Sequence, residues 1–456
     1  MTDLGERLAA IVGPSNVLTG DAIPEELTHD EALTATAQLP AAVARPATTA
    51  EVAAVVALAA EFGVPVTARG SGTGLSGACV PSPDGLLVSF ERMAAILEID
   101  LDNAVAVVQP GVTLDQLDEA TAAVGLVYPV FPGESSASLG GNVATNAGGM
   151  RAIKYGVTRH QVLGLEAVTG TGEVIRTGGK YVKSSSGYDL TQLIVGSEGT
   201  LALVTEATLR LYPRPAWAAT VLAPFATLAE ATDAAGPIVG SGIGPLLVEY
   251  IDLLAMGGIV AHAGLDLGVA PEVREQAQAY LVVVLEQRRE DRLGEDVEEL
   301  AGRLADLGAL DVYVLPAHAG AQLIDAREKA FWAAKAAGAD DIVDVVVPRA
   351  TIASYIARVN ELAAASGSLI TGCGHVGDGN VHLSVFQPDP AVRHDLIHDL
   401  VSTGVGMGGA VSGEHGLGTE KRELFLELAD PAQLVLMRRI KDAFDPAGIL
   451  NPEVAR

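Results

Sequence analysis

Apolar and polar positions change period several times along the chain, and the changes outline its elements. Residues 1–40 begin as an acidic, helix-like segment and continue as a connector carrying Asp21, Glu25, Glu26, Asp30 and Glu31. At Ala44-Arg45-Pro46 a β-α unit opens, with a helix predicted from Ala50 to Phe62 and Thr49 as its N-cap. A short strand over Val64–Arg69 follows, then alternating segments at Leu86–Phe90, Ile96–Asp100 and Ala104–Gly111, and a helix from Thr113 to Ala123. The run VLGLEAVTGTGEVIRTG predicts a hairpin whose strands flank a Gly170–Gly172 turn. Another alternating strand, LALVTEATLRLYP, ends at Pro213, and the spacing places a domain boundary at Pro213–Trp217. Beyond it, Leu246–Asp252 and Tyr280–Glu286 read as strands, and the charged run Gln287–Arg303 as a solvated helix face. Val345–Ile352 reads as a strand leading into a helix, and MRRIKDAFDPAGILNP as a last helix stopped by a Pro/Gly turn near Asn451-Pro452. No internal repeat is visible. The pattern is that of an α+β protein.

Composition narrows this picture. A chain of 456 residues, 49% hydrophobic, has room for two or three domains with substantial cores. Its 29 basic and 57 acidic residues give a net charge of −28, which argues against nucleic acid and anionic membrane surfaces as partners. An anionic substrate must then be drawn in by a local positive site. Cys79 and Cys373 are the only cysteines, so no disulfide framework is expected. The first residues lack the basic and apolar regions of a signal peptide, and no stretch of apolar residues is long enough to span a membrane. A cytoplasmic location is the expectation.

The candidate chemistry lies in glycine-rich segments. RGSGTGLSG, Arg69–Gly77, follows a strand as a dinucleotide fingerprint would, but it runs into two prolines and no helix, so the Rossmann reading fails. An anion-binding nest of backbone N–H groups fits better, with a flexible turn as the alternative. A second stretch, Pro132–Gly149, repeats the logic: its glycines admit a ligand close to the backbone, and Ser136, Thr145 and Asn146 offer hydrogen bonds. Ser197-Glu198-Gly199-Thr200 is either a third contact or a tight turn. Near the end, GCGHVGDGNVH and SGEHGLG hold His375, His382 and His415 beside Glu414. Histidine and carboxylate donors suit a divalent metal such as zinc, with one histidine left over as a base; structural histidines at turns are the alternative. On an unbroken strand His375 and His382 would face opposite ways, but the intervening Gly377-Asp378-Gly379 permits convergence.

Taken together, ARGSGTGLSGA, LGGNVATNAGG and YDLTQLIVGSEGTLALVTEATLRL resemble the FAD-binding domain of the vanillyl-alcohol-oxidase/p-cresol-methylhydroxylase (PCMH) superfamily. GHVGDGNVH, SGEHGLG and the closing ILNP resemble its D-2-hydroxyacid dehydrogenase branch, which includes D-lactate, glycolate and D-2-hydroxyglutarate dehydrogenases. The resemblance covers about Arg45 to Pro452. It implies a helix and connector over 1–37, a PCMH-type FAD-binding domain of two α+β subdomains over 38–215, and a ferredoxin-like substrate or cap domain over 216–456. Noncovalent FAD is implied, because neither FAD loop holds a histidine; Cys79 reads as a buried structural thiol. The implied cofactor contacts are Arg69, Gly70, Ser71, Gly72, Thr73, Gly74, Leu75 and Ser76 in the first loop. Pro132, Gly133, Ser136, Gly140, Gly141, Thr145, Asn146 and Gly148 supply those of the second, with Glu198, Gly199 and Asn451 elsewhere.

By the same resemblance His375, His382 and Glu414 hold a divalent metal, zinc before manganese, and His415 is the catalytic base. Arg327 pairs with the substrate carboxylate, its planar fork suiting that task; a surface helix arginine is the competing reading. The implied reaction oxidises a D-2-hydroxy acid, chelated through carboxylate and hydroxyl, to the 2-oxo acid by hydride transfer to flavin N5. One departure bears on substrate. Where the hydroxyglutarate enzymes hold the distal carboxylate with a threonine and a lysine, this chain has Phe331 and Ile342, with Lys335 as a possible substitute. A smaller or more apolar acid is therefore expected, such as D-lactate, glycolate or a longer 2-hydroxyalkanoate. Asp378 reads as a turn former. Alternatives are a transferase like the alkyl-DHAP synthases, a flavin subunit of an electron-transfer complex, and a plain metal hydrolase. The electron acceptor is left open, and a homodimer is an expectation from the superfamily alone.

Overall fold

The computed structural model describes residues 2–455. Three sheets organise the chain. A four-stranded sheet runs in the order Val17–Leu18, Ala42–Ala44, Leu86–Ser89, Val66–Arg69, parallel except for its first pair. A five-stranded antiparallel sheet follows, in the order Ile96–Asp100, Val105–Val108, Ala202–Arg210, Val162–Thr169, Val174–Gly178. These are the two α+β units expected over residues 38–215. The helix Thr49–Phe62 packs on the first sheet through Val52, Val55, Val56 and Ala59. Its N-cap is Thr48, one residue before the expected Thr49: the Thr48 hydroxyl accepts from the Glu51 N–H, and the Glu51 carboxylate accepts from the Ala47 N–H. The helix stops at Gly63, whose φ of +63° is the left-handed cap conformation.

The third sheet has seven antiparallel strands in the order Tyr313–Val314, Trp217–Phe225, Ala279–Gln287, Leu247–Asp252, Leu369–His375, Asn380–Phe386, Asp341–Val346. Both its faces are buried. Val221, Ala223, Val248, Tyr250, Leu281 and Val283 enter one core, while the intervening Leu222, Leu247, Ile251, Tyr280, Val282 and Val284 enter another. That is why YLVVVLE reads as an unbroken apolar run rather than an alternation.

The strand order also contains a repeat that the sequence hides. Trp217–Phe225, helix Leu228–Val239, Leu247–Asp252, Ala279–Gln287, helix Glu290–Asp306 and Tyr313–Val314 form a β-α-β-β-α-β unit, with strands in the spatial order fourth, first, third, second. Asp341–Val346, helix Ile352–Ser366, Leu369–His375, Asn380–Phe386 and helix Pro390–Gly406 repeat it, with Ala410 bridging Val346 in place of a last strand. The units join at their second strands, where Tyr250 pairs with Gly374 and Ile251 with Cys373. Two further helices, Leu253–Ala263 and Pro271–Gln276, are inserted in the first unit only. The cap is thus a pair of ferredoxin-like units side by side. After it the chain returns to the first sheet: Leu450 bridges Val66, and Ile449 and Leu450 lie in the core of the four-stranded sheet.

Among the described residues no helix is long and apolar enough to cross a membrane.

Candidate functional site

Strand register assembles the site. Asp344 pairs with His382, His382 with Cys373, and Cys373 with Ile251. Residues two apart on each strand share that face, so Glu249, His375, Ser384 and Ile342 lie on it as well. His375 and His382 therefore converge although seven residues apart, because the turn between their strands reverses the chain. Gly379 makes that turn possible: its φ is +102°, and a Cβ there would lie 2.1 Å from the Val347 carbonyl oxygen.

The ring Nε2 atoms of His375 and His382 are 3.2 Å apart. Glu414 Oε1 lies 3.4 Å from the first and 3.2 Å from the second. Donors about 2.0–2.1 Å from a tetrahedral zinc stand about 3.3 Å from one another, so this triangle could hold such an ion. Behind it, His375 Nδ1 meets Glu249 Oε1 at 2.6 Å, and the other oxygen of Glu249 is 2.8 Å from an Arg327 nitrogen. Against the burial that opposes it, Glu249 and Glu414 hold the His375 pKa well above the ordinary value. Asp378 sits in the turn, accepting from the Asn380 N–H at 3.2 Å, and burial pushes its pKa up to about 7.

Asp344 is fully buried and serves a different purpose. Its Oδ2 accepts from the Ser412 hydroxyl at 2.7 Å and from the N–H groups of Gly413, Glu414 and His415, each at 3.0 Å. Lys421 Nζ is 3.4 Å away. Asp344, His382 and His415 also form a geometric trio, in which Asp344 Oδ1 has no hydrogen-bond partner, but the Lys421 ammonium beside the same carboxylate opposes a second cation. Asp344 instead fixes the backbone that presents Glu414 and His415. His415 is itself held low, to about 4, by burial first and then by Lys421 and His382, with Asp344 opposing. Its ring is neutral at ordinary pH.

Two cavities meet here. The first, a cleft of 960 Å³, is lined by all of Gly70–Ser76 but not by Arg69, and by Pro132, Gly141, Thr145, Glu198 and Gly199. Five successive N–H groups, Gly72 to Ser76, have no acceptor among the described residues and form an anion cradle that fits a dinucleotide's phosphates. Ser138 locks the two loops together: its hydroxyl accepts from the Ser71 N–H at 3.2 Å, and its own N–H donates to the Ser71 hydroxyl at 2.9 Å. The second cavity, 630 Å³, is lined by Arg327, His375, His382, Ser384, Phe331 and Ile342 among others. Leu75, Pro132, Glu414 and His415 line both. The Arg327 Nε–H is buried without an acceptor in the protein, a free donor beside the second cavity.

Several expected contacts lie elsewhere. Arg69 turns its guanidinium away from the cleft to the carbonyls of His29, at 2.6 Å, and Glu26. Gly133 lines the second cavity and Gly140 a smaller neighbouring one. Ser136 bonds to Glu134 at 2.8 Å, and the Asn146 side chain accepts from the Arg159 N–H at 2.9 Å; neither lines the cleft. Gly148 packs against Glu414, which a Cβ would approach to 2.8 Å. Asn451 ties the Ala78 carbonyl (2.9 Å) to the Glu198 carbonyl (2.8 Å), bracing the cleft from behind. Cys79 lines the cleft, but burial pushes its thiol up to about 12. Lys335 pairs with Glu31 at 2.8 Å and does not line the second cavity. Ser138, Glu249, Asp344 and Lys421 were missed by sequence reasoning. For the two acids the available signal was a lone carboxylate inside an apolar strand; for Ser138 it was an N-cap residue before LGGNVAT.

Residues 40–178 match the family model for an FAD binding domain, and residues 214–454 that for the C-terminal domain of FAD linked oxidases. An uncharacterized FAD-linked oxidoreductase of Mycobacterium tuberculosis is 56% identical, covering 100% of this chain and 99% of its own length. A D-lactate dehydrogenase of Archaeoglobus fulgidus is 39% identical over 90% of each chain. Among solved structures, p-cresol methylhydroxylase with substrate bound superposes with a TM-score of 0.84 over 100% of this chain and 96% of that one, at 18% identity.

Proposed function

Since the chain belongs to the FAD-linked oxidase family and is an FAD-linked oxidoreductase, we propose that it oxidises a D-2-hydroxy acid to the 2-oxo acid with the help of a divalent metal. The observation that carries this reading is the meeting of the two cavities at Glu414 and His415, with the free donor of Arg327 beside the same space as the metal-type cluster. The D-lactate dehydrogenase among the relatives supports the substrate class and its hand.

The cleft holds FAD through the Gly72–Ser76 cradle, and FAD when bound supplies the acceptor of two electrons. His375, His382 and Glu414 would hold the metal, whose chemistry would be that of a Lewis acid lowering the pKa of the substrate hydroxyl. Arg327 takes the substrate carboxylate with its unpaired Nε–H, while Glu249 on its other side keeps the fork in place and orients His375. His415, neutral and lining both cavities, accepts the proton of the C2 hydroxyl. Asp344 keeps Glu414 and His415 in register through their backbone N–H groups.

The test is anaerobic flavin absorbance of the purified protein mixed separately with D-lactate, L-lactate, glycolate and D-2-hydroxyglutarate. Loss of the oxidised-flavin band with a D-acid and not its mirror image is expected. A yellow protein that none of the four acids bleaches would overturn the proposal.

A further inference from the structure

We propose that the natural substrate carries an aliphatic tail longer than the methyl group of lactate, and that this tail lies in a third cavity opening from the substrate space. The inference rests on the reading that the second cavity takes a 2-hydroxy acid.

The polar groups of that cavity include Arg327, Glu328, His375, His382, Ser384 and Glu414; Leu75, Phe331 and Ile342 also wall it. The same three side chains line a further cavity of 1190 Å³, against 630 Å³ for the substrate space. Leu75 also lines the flavin cleft, so one leucine stands where all three spaces meet. The boundary that the substrate space and the third cavity share is therefore apolar, and it is here that the tail would cross. A tail ending in a carboxylate would shed its hydration there without a partner, which disfavours dicarboxylic 2-hydroxy acids.

Beyond that boundary, Leu33, Ile397, Val401 and Leu424 continue the apolar wall. Three charged residues of the lining have their heads engaged. Arg393 donates to the Gln387 carbonyl at 2.8 Å, Lys421 to Ser412 at 3.2 Å, and Glu420 accepts from Thr34. What such residues leave for a ligand is mainly stem. His394 and Glu423 are exposed and stand at the rim. Asp341 is the remaining acid, and burial pushes its pKa up to about 6. The arrangement suits a flexible hydrocarbon chain anchored by its 2-hydroxy acid head.

The experiment is anaerobic flavin bleaching of the holoenzyme with D-lactate, D-2-hydroxybutanoate, D-2-hydroxyhexanoate, D-2-hydroxyoctanoate and D-2-hydroxyglutarate. Burial of each methylene predicts a gain of about fourfold in bleaching efficiency along the early part of the series. Hydroxyglutarate falls below hydroxyhexanoate. A flat or falling series in which lactate still bleaches the flavin overturns the tail inference and leaves the proposed function standing. Bleaching by none of the acids overturns both. Ile397→Trp, with Leu424→Trp as a second variant where the first does not fold, fills the third cavity. In either, the ratio of hydroxyhexanoate to lactate efficiency should fall at least tenfold, and an unchanged ratio in a folded variant also overturns the inference.

Discussion

Removing the Asp344 carboxylate tests whether the site is held together in the way its geometry indicates. One oxygen of this fully buried residue gathers the Ser412 hydroxyl, three consecutive backbone N–H groups and the vicinity of Lys421 Nζ. A hydrogen bond to a charged acceptor contributes about 1.5–3 kcal/mol, and such bonds within one network do not add. Asp344→Ala strands three N–H groups and the largely buried ammonium of Lys421, a loss on the order of 3–5 kcal/mol by analogy with breaking other buried ion pairs. Asp344→Asn keeps a carbonyl oxygen able to accept from the three N–H groups but gives up the charge.

Because Glu414 and His415 are neighbours on the tethered segment, loosening it moves a metal-type ligand and the proposed base together. A displacement of about an ångström costs on the order of 100-fold in rate. Flavin reduction by saturating D-lactate, followed anaerobically, should therefore slow by about 100-fold in Asp344→Ala and by no more than about 10-fold in Asp344→Asn. Flavin content and a thermal melt, measured alongside, separate misplacement from unfolding. An alanine variant that melts lower yet reduces flavin at the wild-type rate would refute the positioning role. Equal damage in both variants would show that charge, and not backbone tethering, is what Asp344 supplies.

Four other outcomes are expected. His375→Ala should abolish binding of the proposed divalent metal while keeping flavin, and metal content equal to wild type by mass spectrometry would count against the ligand role. His415→Asn should slow flavin reduction by about 100- to 10,000-fold with flavin content intact, and rapid reduction in that variant would remove His415 as the base. Burial raises the Glu198 pKa to about 7, so the folded protein holds this proton more tightly than the unfolded chain. Stability from this group is therefore complete below about pH 4.5 and lost as pH rises towards 7. Glu198→Gln should escape that loss, gaining about 3 kcal/mol on wild type between pH 4.5 and 8 in urea melts; a pH-independent difference would contradict the assignment. Gly418→Ala places a Cβ 1.8 Å from the Ser76 carbonyl oxygen at a φ of +52°, so it should pry the His415 segment from the flavin loop. Flavin occupancy and melting temperature should drop together, and neither changing would mean that this contact does not dock the cap.

What the sequence reveals of this protein follows from where each kind of information is stored. The glycine loops and the His-Glu segments are legible because their chemistry is concentrated in short stretches, and because a cradle of N–H groups needs the glycines that mark it. Arg69 misleads for the same reason: beside a glycine loop it reads as a phosphate ligand, whereas the connector that it grips at Glu26 and His29 lies some 40 residues away. The paired ferredoxin-like units are hidden because only the first carries the helices Leu253–Ala263 and Pro271–Gln276, which breaks any common spacing. Glu249 and Asp344 are hidden differently, each the one acid inside an apolar strand whose other acid, Asp252 or Asp341, stands at its end, in LLVEYID and DIVDVVV. Their partners are set by register, since Asp344 reaches His382 and Glu249 reaches His375 only once the strands pair. Yet an ionised carboxylate with no partner would be too costly in a strand buried on both faces. A lone acid in such a run therefore already states that a cationic or N–H-rich partner crosses that face, and in this chain both acids stand directly behind the candidate metal ligands.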